Sequence, residues 1–223
     1  MKKSKMKLFK ILILALLSTL GSLSAQSEDN NKENETDNRE KMRFGAKIGV
    51  NGSNVYDNEG DPFTADTKYG IMIGVFTAIP IGKYIGVQPE VQLSQKGFEG
   101  RGSLIGNPYS VTRTTTFIDI PLQIALKPSE FITILAGPQY SYLIKQSDKF
   151  ESSNFSYQQE LEFKQDNIRK NILGAVIGLD INLRHVTLSG RLAWDIQKNK
   201  GDGTQVTPRY KNKWYQVGVG FNF

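Results

Sequence analysis

The sequence predicts an all-β fold: an eight-stranded antiparallel transmembrane β-barrel with both termini on the periplasmic side. Three observations carry this. Segment after segment alternates apolar with polar side chains, and since side chains alternate across a strand, each segment has one apolar and one polar face. The segments are long enough for a tilted strand to cross a bilayer, which takes roughly 9–11 residues. The connections between them alternate long and short, as they do in barrels of the outer membrane.

The chain opens on Lys2, Lys3, Lys5, Lys7 and Lys10, followed by an apolar run from Ile11 to Leu20 and then Ser22, Leu23, Ser24 and Ala25. A basic start, a short apolar core and a small-residue exit read as a secretory signal peptide over residues 1–25, cleaved after Ser24 or Ala25. The run is too short for a membrane-spanning helix, which needs about 20 apolar residues. Residues 26–43 are polar, acidic on balance and almost free of apolar side chains. They read as a disordered tail, because they bury too little surface to offset the entropy of ordering. Removing the five leader lysines from the formal net charge of +6 leaves about +1. That excludes a strongly basic nucleic-acid-binding surface. Cysteine is absent, which excludes a disulfide framework, a thiolate metal site and a lipid-modified N-terminal cysteine.

The barrel domain occupies 44–223, with strands at 44–55, 68–79, 84–97, 112–126, 131–145, 167–183, 186–197 and 210–223. The third is the clearest. Ile85, Val87, Pro89, Val91 and Leu93 alternate with Gly86, Gln88, Glu90, Gln92 and Ser94. In the second strand Ile71, Ile73 and Val75 oppose Met72, Gly74 and Phe76, so its facing stays open. The fourth sets Ile118, Ile120, Leu122, Ile124 and Leu126 against Phe117, Asp119, Pro121, Gln123 and Ala125. The sixth sets Leu173, Ala175, Ile177, Leu179, Ile181 and Leu183 against Gly174, Gly178, Asp180 and Asn182. In the seventh, Val186, Leu188, Leu192, Trp194 and Ile196 oppose Thr187, Ser189, Arg191, Ala193 and Asp195. The last runs Tyr215, Val217, Val219, Phe221 and Phe223 on one face. Its final Phe223 looks like the signal that barrel-assembly machinery reads at the C-terminus of outer-membrane proteins.

Tight turns fall at 80–83, 127–130 and 184–185, and long polar connections at 56–67, 98–111, 146–166 and 198–209. A closed barrel follows from the membrane, since closure alone removes unpaired strand edges in lipid. Tyr84, Phe131, Trp194, Trp214, Tyr215 and Phe221 stand near strand ends and read as an aromatic girdle at the headgroup level of the outer-membrane lipid.

Lys47, Glu90, Asp119, Asp180, Arg191 and Asp195 all fall on the non-lipid faces. Eight strands enclose a bore just wide enough for side chains to fill. Charges held there must pair, so these six read as a polar network plugging the lumen. If 184–185 is a two-residue turn, Asp180 lies opposite Ser189 and diagonal to Arg191.

No catalytic, metal or cofactor site is expected. The lone histidine, His185, falls at a tight turn, and no Ser/His/Asp arrangement assembles near the long connections. The acids of DNEGD (Asp57, Glu59, Asp61) lack the spacing of a calcium loop. Binding would reside in the long connections. A protein partner would contact 98–111 and 146–166. The alternation of Phe155 and Tyr157 reads as the barrel extending beyond the membrane more readily than as a partner surface.

The stretches FGAKIGVNGSNV, VQPEVQLSQKGFEG, FIDIPLQIALKP, ILAGPQYSYLI and GVGFNF resemble, in order and spacing, the PorT-type family of outer-membrane β-barrels over about 44–223. The resemblance implies an eight-stranded, mostly closed barrel in bacteria like the Bacteroidetes. Some relatives are linked to protein secretion; the resemblance brings no reaction. The expected function is a small outer-membrane barrel with a plugged lumen, acting structurally or through its extracellular loops. Two alternatives remain. A narrow pore for small solutes requires an open lumen, and a soluble lipocalin-like carrier requires the apolar list inside.

Overall fold

The computed structural model describes residues 38–59, 64–104, 107–152, 155–161, 169–200 and 209–223. The expected signal peptide and the tail up to residue 37 lie outside the described residues. The strands are β1 (Arg43–Glu59), β2 (Thr64–Pro80), β3 (Ile85–Leu104), β4 (Asn107–Leu126), β5 (Ile132–Ser152), β6 (Phe155–Leu161), β7 (Asn171–Leu183), β8 (Val186–Asp195) and β9 (Arg209–Asn222). All pair antiparallel. The ring runs β1-β2-β3-β4-β5-β7-β8-β9 and returns to β1, closing an eight-stranded barrel. β6 stands outside the ring. It pairs with β5 over Gln146–Ser152, while β7 pairs with β5 lower down, over Ile132–Tyr142.

The barrel faces are those that alternation dictates. On β3 Gly86, Gln88, Glu90, Gln92 and Ser94 are buried, and Ile85, Val91 and Leu93 are exposed outward. On β4, β7, β8 and β9 the apolar rows likewise face out. Such an outer wall suits lipid and inverts what a soluble carrier needs, so the lipocalin-like reading falls. The facing left open on β2 is settled too: Ile71, Ile73 and Val75 point out, while Met72 (0 % exposed) and Phe76 point in. Glycines make the space for those two large side chains. A Cβ at Gly45 would lie 2.5 Å from the Phe76 ring, and one at Gly49 would lie 3.1 Å from the Met72 methyl.

The polar connections are a correction. Much of 56–67, 98–111 and 146–166 is strand rather than loop. The β3–β4 ladder continues to Leu104 opposite Asn107, and the β5–β6 ladder to Ser152 opposite Phe155. Alternation ends where the lipid ends, but backbone pairing needs no apolar face and carries on into water. The extension expected around Phe155 and Tyr157 is therefore present. The change of regime on β3 is marked by Gly97, at φ +146°. Its Cα hydrogen sits against the carbonyl of Arg113 where a Cβ has no room. The Ser53 hydroxyl accepts from the Gly97 amide and donates to its carbonyl, each at 2.9 Å.

At the short-turn end, residues 38–43 of the expected tail are ordered. Asn38–Glu40 form a 3₁₀ turn, and Arg43 already belongs to β1. The buried ammonium of Lys127 donates to the Arg39 carbonyl at 2.8 Å, and the Arg39 guanidinium lies 5.1 Å from the Tyr84 ring. This bond supplies a buried cation with an acceptor and ties the segment to the β4–β5 turn.

Candidate functional site

The inward rows of the ring meet in a lumen filled tier by tier. At its waist β1 supplies Lys47, β3 supplies Gln88, Glu90 and Gln92, β7 supplies Asp180 and β8 supplies Arg191. The three β3 residues converge because alternate positions on a strand share a face. Glu90 accepts from Lys47 and Gln92, from Gln88 at 3.0 Å and from Arg191 at 3.4 Å. The Arg191 guanidinium forks onto Asp180 at 2.6 and 3.0 Å, the bidentate geometry that makes such pairs strong. Gln88 reaches Asp180 as well, at 3.3 Å. Two cations meet two anions, so the waist is neutral.

Four of the six expected lumen charges are thus brought together. The other two have partners of their own. Asp119 pairs with Lys96 at 2.9 Å, and Asp195 accepts from the backbone and side-chain nitrogens of Asn212. Lys96 was missed by sequence reasoning although the signal was present: it is the next inward step after Gln92 and Ser94 on β3. Its ammonium lies 3.6 Å from the Trp214 ring centroid and 4.6 Å from that of Phe117, a buried cation–π site.

Trp214 is the second correction. It does not join the aromatic girdle. It is 5 % exposed and packs inside against Val176 and Ala193. Neighbours on a strand face opposite sides, so Trp214 and Tyr215 cannot both meet lipid. Tyr84, Phe131, Tyr215 and Phe221 do face outward, as does Phe223, and Trp194 is half-buried on the outer face.

The other tiers complete the filling. Above the waist, Gln216 donates to Asn51 (2.9 Å) and Gln92 (3.1 Å), and Asn51 to Ser94 (2.8 Å). Higher still, beyond the lipid belt, Val55, Phe98 and Tyr210 form an apolar cluster. Phe98 and Tyr210 meet edge-to-face with centroids 5.3 Å apart. Beside them Arg113 forks onto Asp148 at 2.7 Å on both arms. Below the waist, Asn182 donates to Thr133, Thr187 to Asn182 and Asn222 to Thr187. One gap lies beside Gln123, whose amide has no hydrogen-bond partner among the described residues. Its volume is about 10 Å³, room for roughly one water.

For chemistry the lumen offers little. Its charges are engaged with one another or, for Asp195, with Asn212, and His185 sits exposed at the β7–β8 turn, stacked 5.9 Å from Phe221. Among the described residues no group of three or more His, Asp or Glu converges on a metal position. Of the DNEGD acids, Asp57 is held below the usual carboxylate range by hydrogen bonds from Lys211 and Lys198, at 2.7 and 3.2 Å.

Residues 24–200 match the family described as outer membrane protein beta-barrel domain. The chain belongs to that family. Its place is therefore the outer membrane, in agreement with the apolar outer wall. Among solved structures the chain is similar to Ail, the attachment invasion locus protein of Yersinia pestis. Identity is 16 %, over 82 % of this chain and 99 % of Ail, with a TM-score of 0.47. It is also similar to Neisserial surface protein A (10 % identity, 82 % and 100 % covered, TM-score 0.46). A third is OprG of Pseudomonas aeruginosa (12 %, 82 % and 97 %, 0.39). No curated protein matches the sequence. Members of this family share a barrel and a membrane; the finer role of this chain rests on its own residues.

Proposed function

We propose that this outer-membrane barrel is a non-conducting, non-enzymatic scaffold whose work is done by contacts outside the membrane. The observation that carries the reading is the filled bore: a neutral ion-paired waist, hydrogen-bonded tiers on either side and an apolar seal of Val55, Phe98 and Tyr210 above. The gap at Gln123 suits a single water, not a solute path. A bore filled to this degree is core, and what remains for function is the sheet that rises beyond the lipid. The β3–β4 and β5–β6 hairpins form that sheet, and they include most of the two segments that the sequence marks for partner contact. In this reading the short turns and both termini face the periplasm and the tall hairpins face outward.

The PorT-type resemblance fits the same reading and makes a secretion-associated protein the preferred partner. The narrow pore is the second reading, and it would require the waist pairs to part. The test is photo-crosslinking in intact cells from Thr112 and Lys149 on the raised hairpins, with Ile177 in the lipid belt as control. A discrete protein adduct from the hairpin positions alone supports the reading; lipid adducts alone from all three positions contradict it.

A further inference from the structure

Beyond the lipid belt the outer wall of the barrel is not uniform. On β9 the outward row passes from Val217 to Tyr215 and then to three cations in succession, Lys213, Lys211 and Arg209. No other outward row among the described strands does this. On β5 the cations alternate with other residues, as Lys145, Ser147, Lys149 and Glu151, and Lys149 is paired with Glu151. On β3 the outward position after Leu93 is the neutral Gln95.

The β9 face also carries a fixed aromatic frame. The Tyr215 ring lies across Gly52 of β1, where a Cβ would leave it no room. Its hydroxyl meets that of Tyr69 on β2 at 3.1 Å, and the two rings stand edge-to-face with centroids 6.5 Å apart. Both stay exposed, Tyr69 at 65 %. On the other flank Trp194 of β8 stands opposite Lys213 in the register. Of the acids on this side, Asp57 is engaged by Lys198 and Lys211, and Glu59 of β1 stands opposite Arg209 in the register. Lys213 remains exposed, without an acidic partner among the described residues.

We infer that this face binds the phosphate of an anionic membrane lipid, with Lys213 as the cation and the Tyr69 hydroxyl, which accepts from Tyr215 and keeps its own proton free, as the neighbouring donor. Three things select that occupant. Lys213 is the first outward position beyond the apolar row, which sets its ammonium at headgroup level, where phosphates lie. The local charge is positive and a phosphate is its complement; each lysine near a charged membrane surface contributes about 1 kcal/mol. The tyrosine pair is already held in place across three strands, so little ordering opposes binding. The inference rests on the outer-membrane location and not on the proposed partner contacts.

The test uses the full barrel in phosphatidylcholine nanodiscs doped with phosphatidic acid, counting retained phosphatidic acid by native mass spectrometry after release. Wild type should retain it. Lys213→Gln should weaken retention about fivefold, the equivalent of about 1 kcal/mol, and Tyr215→Phe should weaken it too. The double variant Lys213→Gln/Gln95→Lys restores the net charge at another place on the rim and should stay weak. Undiminished retention in both single variants, or recovery in the double variant, would overturn the site in favour of general surface charge. Crosslinking of a protein at Lys213 in cells, with no phosphatidic acid retained by the wild type, would overturn it in favour of a protein partner.

Discussion

Arg191→Met is the most informative single change in the lumen. The guanidinium makes both short contacts to Asp180 and a longer one to Glu90. Its removal leaves Glu90 still paired with Lys47 but leaves Asp180 with the Gln88 amide as its hydrogen-bond partner and with Lys47 and Arg43 only at longer range. An uncompensated charge buried in this way costs about 3–5 kcal/mol. Asp180→Leu alone leaves the opposite imbalance and should cost a similar amount. The double variant removes the imbalance, because Lys47 and Glu90 remain as a neutral pair. Replacing a buried ion pair with apolar groups of similar volume is often close to neutral, so the double variant should recover most of the loss. The assay is reversible urea unfolding in lipid vesicles, followed by tryptophan fluorescence, as a double-mutant cycle. A loss below about 1 kcal/mol for Arg191→Met, or strict additivity of the two changes, would refute the account of the waist as a closed, mutually neutralising set.

Other outcomes follow from the same geometry. Ile120→Arg or Ile177→Arg, on the lipid face, should cost about 2–4 kcal/mol in the same assay if near the midplane; tolerance there would mean the faces are reversed. Gly97→Ala forces a side chain into a left-handed backbone against the Arg113 carbonyl and should cost about 1–3 kcal/mol; a neutral result would mean that the β3 bend is not as described. With Trp194 replaced by Phe, the remaining Trp214 should resist quenching by brominated lipid tails, because it lies in the lumen beside Lys96. Strong quenching would return it to the girdle.

The sequence made the barrel legible because lipid enforces a period of two on every crossing strand. Glu90, Asp119, Asp180 and Arg191 could be placed inside from that period alone. Pairing was legible only where it is local. Asp180 and Arg191 sit across a two-residue turn, which fixes their register. Lys47–Glu90 and Glu90–Arg191 join strands distant in sequence, and their meeting depends on ring closure and stagger, which alternation does not encode. Lys96 and Trp214 show the complementary failure. Their inward position follows from the same period, but Lys96 lies where the apolar row gives out, and Trp214 was assigned by residue type in place of its step along β9. The height of the hairpins left only a short trace, the alternation of Phe155 and Tyr157 on β6, and none on β3 and β4, since strands in water pair through their backbones.

The central claim is that the bore is solid, and conductance of the purified barrel in planar bilayers tests it most directly. A filled waist under an apolar seal predicts no steady single-channel current in wild type. Glu90→Gln should add none, lowering stability instead. A reproducible open channel in wild type, with ion selectivity altered by Glu90→Gln or Arg191→Gln, would contradict the account and make the waist a gate.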